Sequence, residues 1–235
     1  MFVNYAHRGA SEYAPENTMS SFYLGVEMKA DGIETDVRRT KDGVLVLFHD
    51  TTLQRVMGRE GSISDYTYAE LLEMRVKNEK NGTEDIIVSF EDFLKYFGFR
   101  DLCFAIELKD GGIEEEVIGL LEKHSMREKT IITSGEFEYL TNVKKINTAY
   151  RVGYLMKQTG ERELEQMRSI GGEQLCPRAT YITKENVKEW HDLGYNVRTW
   201  GILDVEMMKH ACECGVDGMT INFPDVLNEY IGKGK

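Results

Sequence analysis

Short apolar runs alternate with longer amphipathic stretches along most of the chain. The short runs are rich in apolar and β-branched side chains, a pattern that predicts strands. They cover nine segments: 2–6, 32–37, 44–48, 102–107, 130–133, 151–155, 174–176, 195–200 and 218–221. Apolar residues at helical spacing occupy most of the intervals, as Met19, Phe22, Tyr23 and Val26 do. Repeated strand–helix units of this kind predict an α/β fold with a parallel sheet covered by helices.

The number of units favours a TIM (β/α)8 barrel. Eight strands close such a barrel, so one of the nine runs should be a loop or a short extra strand, and 174–176 is the weakest by length. Only residues 38–43 separate the second run from the third, which is too short for a helical crossover. The longest interval, at about 51–88, predicts a small insertion after an early strand. Because the sequence contains no linker, we predict a single domain over 1–235.

Charge and composition narrow the classes of partner. The chain has 29 Lys and Arg against 40 Asp and Glu, a formal net charge of −11, which disfavours nucleic acid as a partner because phosphate backbones need a basic surface. No run approaches about 18 apolar residues, so we expect no stable membrane insertion. The sequence has no signal peptide and its four cysteines lack zinc spacing, which favours the cytoplasm. A homodimer is compatible with these features.

Three carboxylates fall near the carboxyl ends of predicted strands. Glu34 and Asp36 are two residues apart in one strand and therefore point to the same face. Glu107 ends another strand and would join them, because strand ends converge at one mouth of a barrel. Three carboxylates form a hard oxygen site suited to a divalent cation, Mg²⁺ or Ca²⁺. The alternative is a group of solvated acids without a metal.

Two histidines, His7 and His49, follow the ends of predicted strands in the same way. Histidine titrates near neutral pH, so a converging pair can act as general acid and general base. Each of them could instead be a structural residue.

Other polar residues at these strand ends admit two interpretations each. Arg8 and Lys109 flank the acids, either as salt-bridge partners or as ligands for a phosphate group. Asn17 points into the mouth, or else it or Thr18 caps the first helix. Trp200 lines a substrate cavity or is part of the core.

The chain resembles the glycerophosphodiester phosphodiesterase family in several motifs that occur in family order. The motifs are His7-Arg8-Gly9-Ala10, Ala14-Pro15-Glu16-Asn17-Thr18, Asp31-Gly32-Ile33-Glu34-Thr35-Asp36-Val37, Thr40-Lys41-Asp42-Gly43, His49-Asp50, Ala105-Ile106-Glu107-Leu108-Lys109, Val197-Arg198-Thr199-Trp200 and Gly215-Val216-Asp217-Gly218. The loops after residues 133, 200 and 221 depart from the family pattern.

The resemblance implies a TIM barrel enzyme that hydrolyses glycerophosphodiesters to an alcohol and glycerol 3-phosphate with a divalent cation. It implies that Glu34, Asp36 and Glu107 bind the metal and that His7 and His49 are the catalytic acid–base pair. The remaining site residues, Arg8, Lys109, Asn17 and Trp200, would contact the substrate or its phosphate. Two alternatives remain: lysophospholipase D-type hydrolysis of a lipid head group, and a non-catalytic barrel that binds a phosphorylated ligand.

Overall fold

Eight parallel strands close into a barrel in the computed structural model, which describes residues 2–233. The strands, in the order in which they pair around the barrel, are β1 (Val3–His7), β2 (Gly32–Arg39), β6 (Cys103–Leu108), β7 (Thr130–Ser134), β8 (Arg151–Met156), β9 (Gln174–Pro177), β10 (Asn196–Thr199) and β11 (Gly218–Ile221). β11 pairs with β1 and completes the ring. The predicted TIM barrel is therefore confirmed.

All nine predicted runs contain strands, but the extra strand is not the one that its length suggested. The weak run 174–176 forms β9, a fully buried barrel strand. The additional strand is β3 (Leu45–Leu47), which lies antiparallel to the end of β2. Length was a poor guide because a strand buried on both faces needs only a few residues to close a barrel.

Helices alternate with the barrel strands and cover the outside of the barrel, apart from two that lie in the segment 51–88. They are α1 (Met19–Glu27), α2 (Gln54–Met57), α3 (Tyr68–Leu72), α4 (Phe90–Phe97), α5 (Glu114–Lys123), α6 (Phe137–Ile146), α7 (Glu161–Ser169), α8 (Lys184–Asp192), α9 (Val205–Cys214) and α10 (Pro224–Tyr230). Side-chain caps define several starts: Thr18 accepts a hydrogen bond from Ser21 N, and Ser89 accepts one from Asp92 N. No helix within residues 2–233 combines the length and the apolar character needed to cross a bilayer.

The β2–β3 hairpin projects beyond the barrel and then returns to its mouth. β2 pairs with β6 as far as Val37 and continues to Arg39, and β3 runs back beside this extension. The turn is closed by Gly43, whose φ of 85° suits glycine, and by Thr40 Oγ1, which accepts a hydrogen bond from Val44 N. Because β3 runs antiparallel, its carboxyl end returns to the level of Asp36, where Phe48 N donates to the Asp36 carbonyl.

The segment predicted as an insertion has its own small core. It contains α2, α3 and a two-stranded sheet, β4 (Val76–Lys77) with β5 (Glu84–Asp85). Buried apolar side chains of this segment pack on one another and on Val46 and Phe48, in and just after β3. They are Leu53, Val56, Met57, Ile63, Leu71, Val76 and Ile87. The assignment of 1–235 to a single domain stays a prediction, since residues 1, 234 and 235 lie outside the described range.

An aromatic cluster joins α1 and α4 to the outer face of the barrel. Phe93 lies at its centre, with ring centroids 4.7 Å from Phe22 and 5.8 Å from Phe104. All three side chains are fully buried. Removal of the central ring would leave a cavity that the rigid barrel wall cannot fill.

We therefore expect Phe93→Ala to lower the free energy of unfolding by about 3–5 kcal/mol. Tyr96→Ala is the matched control on the same helix, because Tyr96 is half exposed and surface substitutions usually change stability by about 0.5 kcal/mol or less. Denaturant unfolding of the two variants measures the difference. Equal losses would show that the cluster does not support the barrel as described.

Candidate active site

The strand register brings three buried carboxylates together at the mouth of the barrel. Glu34 and Asp36 lie on β2, and Asp36 is directly paired with Glu107 of β6. One oxygen from each of the three carboxylates lies within 4.8 Å of the others. Glu34 and Asp36 are buried, and Glu107 is nearly so. The predicted convergence of these residues is confirmed.

Two cationic side chains form ion pairs with these carboxylates and offset their negative charge. Arg8 Nε lies 3.1 Å from Asp36 Oδ2, and Lys109 Nζ lies 3.3 Å from Asp36 Oδ1. Lys109 also donates to Glu107 Oε1 at 2.5 Å. Arg8 and Lys109 are therefore salt-bridge partners of the acids, as one interpretation of the sequence predicted. The other interpretation, that they contact a phosphate group, stays a prediction.

The three carboxylates differ in how strongly they retain a proton. Burial raises the pKa of Glu34, and the neighbouring Asp36 and Glu107 raise it further. Burial also raises the pKa of Glu107, against the effect of Lys109. Burial acts in the same direction on Asp36, but Lys109, Arg8 and His49 outweigh it and hold the pKa of Asp36 well below its usual range.

This arrangement fits a divalent cation. Asp36 Oδ1 is buried and accepts no hydrogen bond, although Lys109 Nζ lies 3.3 Å away as an ion-pair partner, so its lone pairs can still bind a cation. Carboxylate oxygens are the donors that Mg²⁺ and Ca²⁺ prefer, and a cation would relieve the repulsion that raises the pKa of Glu34. The donor set formed by Glu34, Asp36 and Glu107 is therefore suited to such an ion.

His7 lies at the end of β1 beside the acids. Its Nδ1 lies 2.5 Å from Asn222 Oδ1, which follows β11, the neighbour of β1 in the barrel. With that amide oxygen accepting, the proton of the neutral ring is on Nδ1, and Nε2 faces Glu34 Oε2 at 3.8 Å. Burial, together with Arg8, lowers the pKa of His7 to about 3. The ring is thus neutral at pH 7 with a free Nε2 lone pair.

His49 reaches the same mouth from the hairpin. Arg38 donates from Nε and Nη2 to the His49 carbonyl, at 3.0 and 2.9 Å, and so fixes the main chain there. The ring Nδ1 lies 2.6 Å from Asp50 Oδ1, a carboxylate that can only accept, so the Nδ1 proton faces Asp50. Burial lowers the pKa of His49, while Asp36 opposes this shift. About a third of the side chain is exposed to the mouth.

Asn17 holds Asp36. Its Nδ2 donates to Asp36 Oδ2 at 2.9 Å, and its Oδ1 accepts from Thr35 Oγ1 at 2.7 Å. The side chain is 2% exposed and both amide atoms are engaged, so in this structure it supports Asp36. The helix cap is Thr18, and the expected substrate contact of Asn17 stays a prediction.

The loop after β1 follows a conformation that few side chains adopt. Arg8 and Asn17 both have a φ of 56°, in the left-handed region, and Gly9 follows with a φ of 81°. A Cβ atom on Gly9 would collide with the backbone of Ser21 in α1. The Arg8 main chain is fixed by hydrogen bonds to the carbonyl of Glu34 at 2.8 Å and from Asn17 N at 3.0 Å. This unusual path places the Arg8 guanidinium over the carboxylates.

A charged network connects the two sides of the mouth through Arg55 of α2. Arg55 donates from Nε to Asp50 Oδ2 at 2.6 Å and from Nη1 to Glu16 Oε2 at 2.8 Å. Glu16 in turn accepts from Arg8 Nη1 at 2.8 Å. The side chains that hold His49 and Arg8 are therefore joined by one residue of the insertion.

Trp200 lies just after β10, at the same end of the barrel. Its indole N–H donates to the Cys176 carbonyl at 2.9 Å, and Arg178 lies over its ring at 5.9 Å. The side chain is partly exposed. These contacts fix its position at the rim and leave its role as a cavity wall a prediction.

Sequence reasoning missed Asn222, Glu16 and Arg55 as site residues. A signal for Asn222 existed, because it follows a predicted strand directly, as His7 does, and the two strands are neighbours once the barrel closes. Glu16 and Arg55 had no such signal. Their roles depend on how the insertion lies against the loop after β1.

Comparison with known proteins identifies similar chains over nearly the full length. Residues 7–226 match the model of the Glycerophosphoryl diester phosphodiesterase family. A glycerophosphodiester phosphodiesterase of Caldanaerobacter subterraneus subsp. tengcongensis is 35% identical over 97% of both chains.

Solved structures show the same fold. A protein of Galdieria sulphuraria, provisionally assigned as a glycerophosphodiester phosphodiesterase, is 27% identical with a TM-score of 0.89, over 99% of this chain and 98% of that one. A phosphodiesterase of Oleispira antarctica, solved in complex with the product sn-glycerol-3-phosphate, is 24% identical with a TM-score of 0.89, over 98% of this chain and 96% of that one.

We expect Asn17→Ala to lower the free energy of unfolding by about 1–3 kcal/mol, because Thr35 and Asp36 lose a buried partner. Alanine also has to adopt the left-handed φ of 56°. Asn17→Gly loses the same amide without that backbone penalty and separates the two effects. Denaturant unfolding measures both variants. A glycine variant as stable as the parent would show that the amide contacts contribute nothing.

Proposed function

The chain belongs to the Glycerophosphoryl diester phosphodiesterase family, and on that basis we propose that it hydrolyses glycerophosphodiesters to an alcohol and glycerol 3-phosphate. The observation that carries the proposal is the meeting of two histidines, three carboxylates and two cations at one barrel mouth. Such a set provides a metal site, an acid–base pair and a phosphate contact within one cavity. The substrate is thus a small molecule with a phosphodiester group.

We infer that Glu34, Asp36 and Glu107 hold a divalent cation, Mg²⁺ or Ca²⁺. When bound, such an ion supplies Lewis-acid polarisation of a phosphoryl oxygen and neutralises part of its charge. Asn17 keeps Asp36 in place through its amide. Lys109, which donates to Glu107, balances the negative charge that the three acids carry.

His7 and His49 transfer protons in the proposed reaction. Each ring has its Nδ1 engaged, by Asn222 and Asp50 respectively, and each leaves Nε2 free. One Nε2 accepts a proton from the nucleophile, which is water or the neighbouring glycerol hydroxyl. The other ring enters the step as an imidazolium, with a proton also on Nε2, and delivers that proton to the leaving oxygen as the phosphorus–oxygen bond breaks. Exchange with solvent then restores the starting protonation of both rings. Both partners restrict ring rotation, so the two nitrogens keep their orientation during turnover.

Arg8 and Lys109 provide charge for the phosphodiester group. Arg8 is fixed by Glu16 and Asp36, which keeps its guanidinium in one place without consuming all five N–H donors. Fixed cations of this kind stabilise the negative charge that grows on the phosphoryl oxygens in the transition state. We assign Trp200 to the cavity wall at the rim.

The four cysteines are free thiols, which supports a reducing compartment such as the cytoplasm.

We expect His7→Ala and His49→Ala each to lower kcat by about 10²–10⁴-fold, because each removes one proton-transfer group. His191→Ala is the matched control: its ring contacts Asp217 just before β11, at the opposite end of the barrel. Release of glycerol 3-phosphate from glycerophosphoethanolamine measures all three variants, and circular dichroism checks the fold. Full activity in either folded variant would overturn the acid–base assignment.

We expect EDTA to abolish turnover and Mg²⁺, Ca²⁺ or Mn²⁺ to restore it. Binding of the ion should also raise the thermal unfolding midpoint of the parent protein, since a ligand bound only by the folded state stabilises it. Glu34→Gln should reduce that rise, whereas Glu206→Gln, on the exposed surface of α9, should not. Unchanged turnover in EDTA after exhaustive dialysis would contradict a metal-dependent mechanism.

A further inference from the structure

A cavity of about 240 Å³ extends from the mouth of the barrel to the insertion. His7 and Arg8 line its inner end, and Lys77, Glu79 and Lys80 line its outer end. We call it the lysine-walled cavity. A phosphodiester held at Arg8 would direct one of its two substituents into this space.

The wall of the cavity is positively charged in a protein that is negative as a whole. Four cations line it, Arg8, Arg55, Lys77 and Lys80, against the two carboxylates of Glu16 and Glu79. The chain carries a formal net charge of −11, so this local excess of positive charge runs against the composition. A confined space with an excess of one sign of charge attracts ligand groups of the opposite sign.

The two lysines are available to a ligand. In the free protein Lys77 pairs with Glu84, and Lys80 pairs with Glu12. More than half of each lysine side chain is exposed in these pairs. Exposed ion pairs contribute at most about 1 kcal/mol, so an incoming anion can replace either carboxylate at little cost. The arginines differ, because Arg8 and Arg55 are fixed by Glu16, Asp36 and Asp50.

The loop that carries Lys80 is firmly attached to the barrel. Asn78 is buried, and its Nδ2 donates to the carbonyls of Ser11 and Ala14 at 3.1 and 2.9 Å. Asn81 Nδ2 donates to the Tyr13 carbonyl at 2.8 Å. This side of the cavity is therefore built in advance of binding, and only the lysine side chains need to move.

The cavity lacks the groups that recognise a quaternary ammonium. Among residues 2–233, those that line it include no Phe, Tyr or Trp, whereas choline-type cations are bound by aromatic faces. Glu79, the outer carboxylate, faces Arg55 at 3.5 Å. A cationic head group would thus meet four like charges without an aromatic cage.

We propose that the lysine-walled cavity binds the head-group alcohol and selects diesters whose head group carries an anionic group, such as a phosphomonoester. The glycerol moiety is uncharged and has no charge–charge attraction to these cations, so a selective effect of the wall charge falls on the head group. This proposal rests on the proposed hydrolysis of glycerophosphodiesters and specifies its substrate class.

Three diesters with different head-group charge test the proposal. Glycerophosphoinositol 4-phosphate and glycerophosphoinositol differ only by one phosphate, and glycerophosphocholine carries a cation. We expect kcat/KM to fall in that order, with at least a tenfold difference between the first two. The difference should shrink at high ionic strength, because salt screens exposed lysines. Equal kcat/KM values for the three diesters would overturn the proposal.

Reversing the charge of the two lysines tests whether they cause the preference for an anionic head group. Lys77→Glu with Lys80→Glu should reduce the ratio of kcat/KM for the phosphorylated diester over the choline diester at least tenfold, and Lys77→Arg with Lys80→Arg should keep it. Lys188→Glu with Lys209→Glu is the matched control, because both lysines pair with a carboxylate on the outer helices. A parallel loss for all three diesters would show that Lys77 and Lys80 act on the shared glycerol phosphate.

Calorimetric binding separates this proposal from the proposed function. No turnover of any diester with any metal would overturn the hydrolytic function. In that case the dissociation constants of glycerophosphoinositol 4-phosphate and glycerophosphocholine still decide whether the cavity selects an anion. Tighter binding of the phosphorylated diester, lost in the charge-reversal variant, supports the selection, and equal affinity overturns it.

Discussion

The mouth of the barrel is organised by the need to keep three buried carboxylates within 4.8 Å of one another. Their mutual repulsion and desolvation oppose folding, so each neighbouring element supplies a group that offsets this cost. The loop after β1 contributes Arg8 and Asn17, and the residue that follows β6 is Lys109. The left-handed residues of that loop are the local backbone cost of bringing a guanidinium to Asp36. The proposed metal site and the proposed phosphate contacts thus depend on the same arrangement.

The barrel and the convergence of the three carboxylates could be predicted from the sequence, because both depend on local patterns of residues. Alternation within β2 puts Glu34 and Asp36 on one face, and the convergence of parallel strand ends brings Glu107 to them. His7 also lies at the end of a parallel barrel strand. His49 reaches the mouth by a different route, because β3 is antiparallel to β2. It comes close to Asp36 only because β2 extends past the barrel and the hairpin returns to the mouth. The prediction of convergence was correct for His49, although the strand that carries it is not a barrel strand.

The remaining site residues depend on contacts that no local pattern encodes. His7 and Asn222 are 215 positions apart, and they meet because β11 pairs with β1 to close the barrel. Arg55 and Glu16 are joined only when the insertion packs on the loop after β1. For Asn17, the sequence allowed a cap or a mouth residue, and burial with both amide atoms engaged gave it a third role, as support for Asp36. Such roles follow from the closure of the barrel and from the packing of the insertion on the loop after β1, and both depend on the fold of the whole chain.

The position of Arg55 makes two supports of the mouth depend on one helix. The three acids lie on β2 and β6, outside the insertion, whereas Asp50 and Glu16 share a partner only where α2 is packed in place. A chain with a closed barrel and an unfolded insertion would hold its acids yet leave His49 and Arg8 without this shared support. Because one side chain joins both supports, any loosening of the insertion would disturb the His49 side and the Arg8 side of the mouth together, and the two could not vary independently.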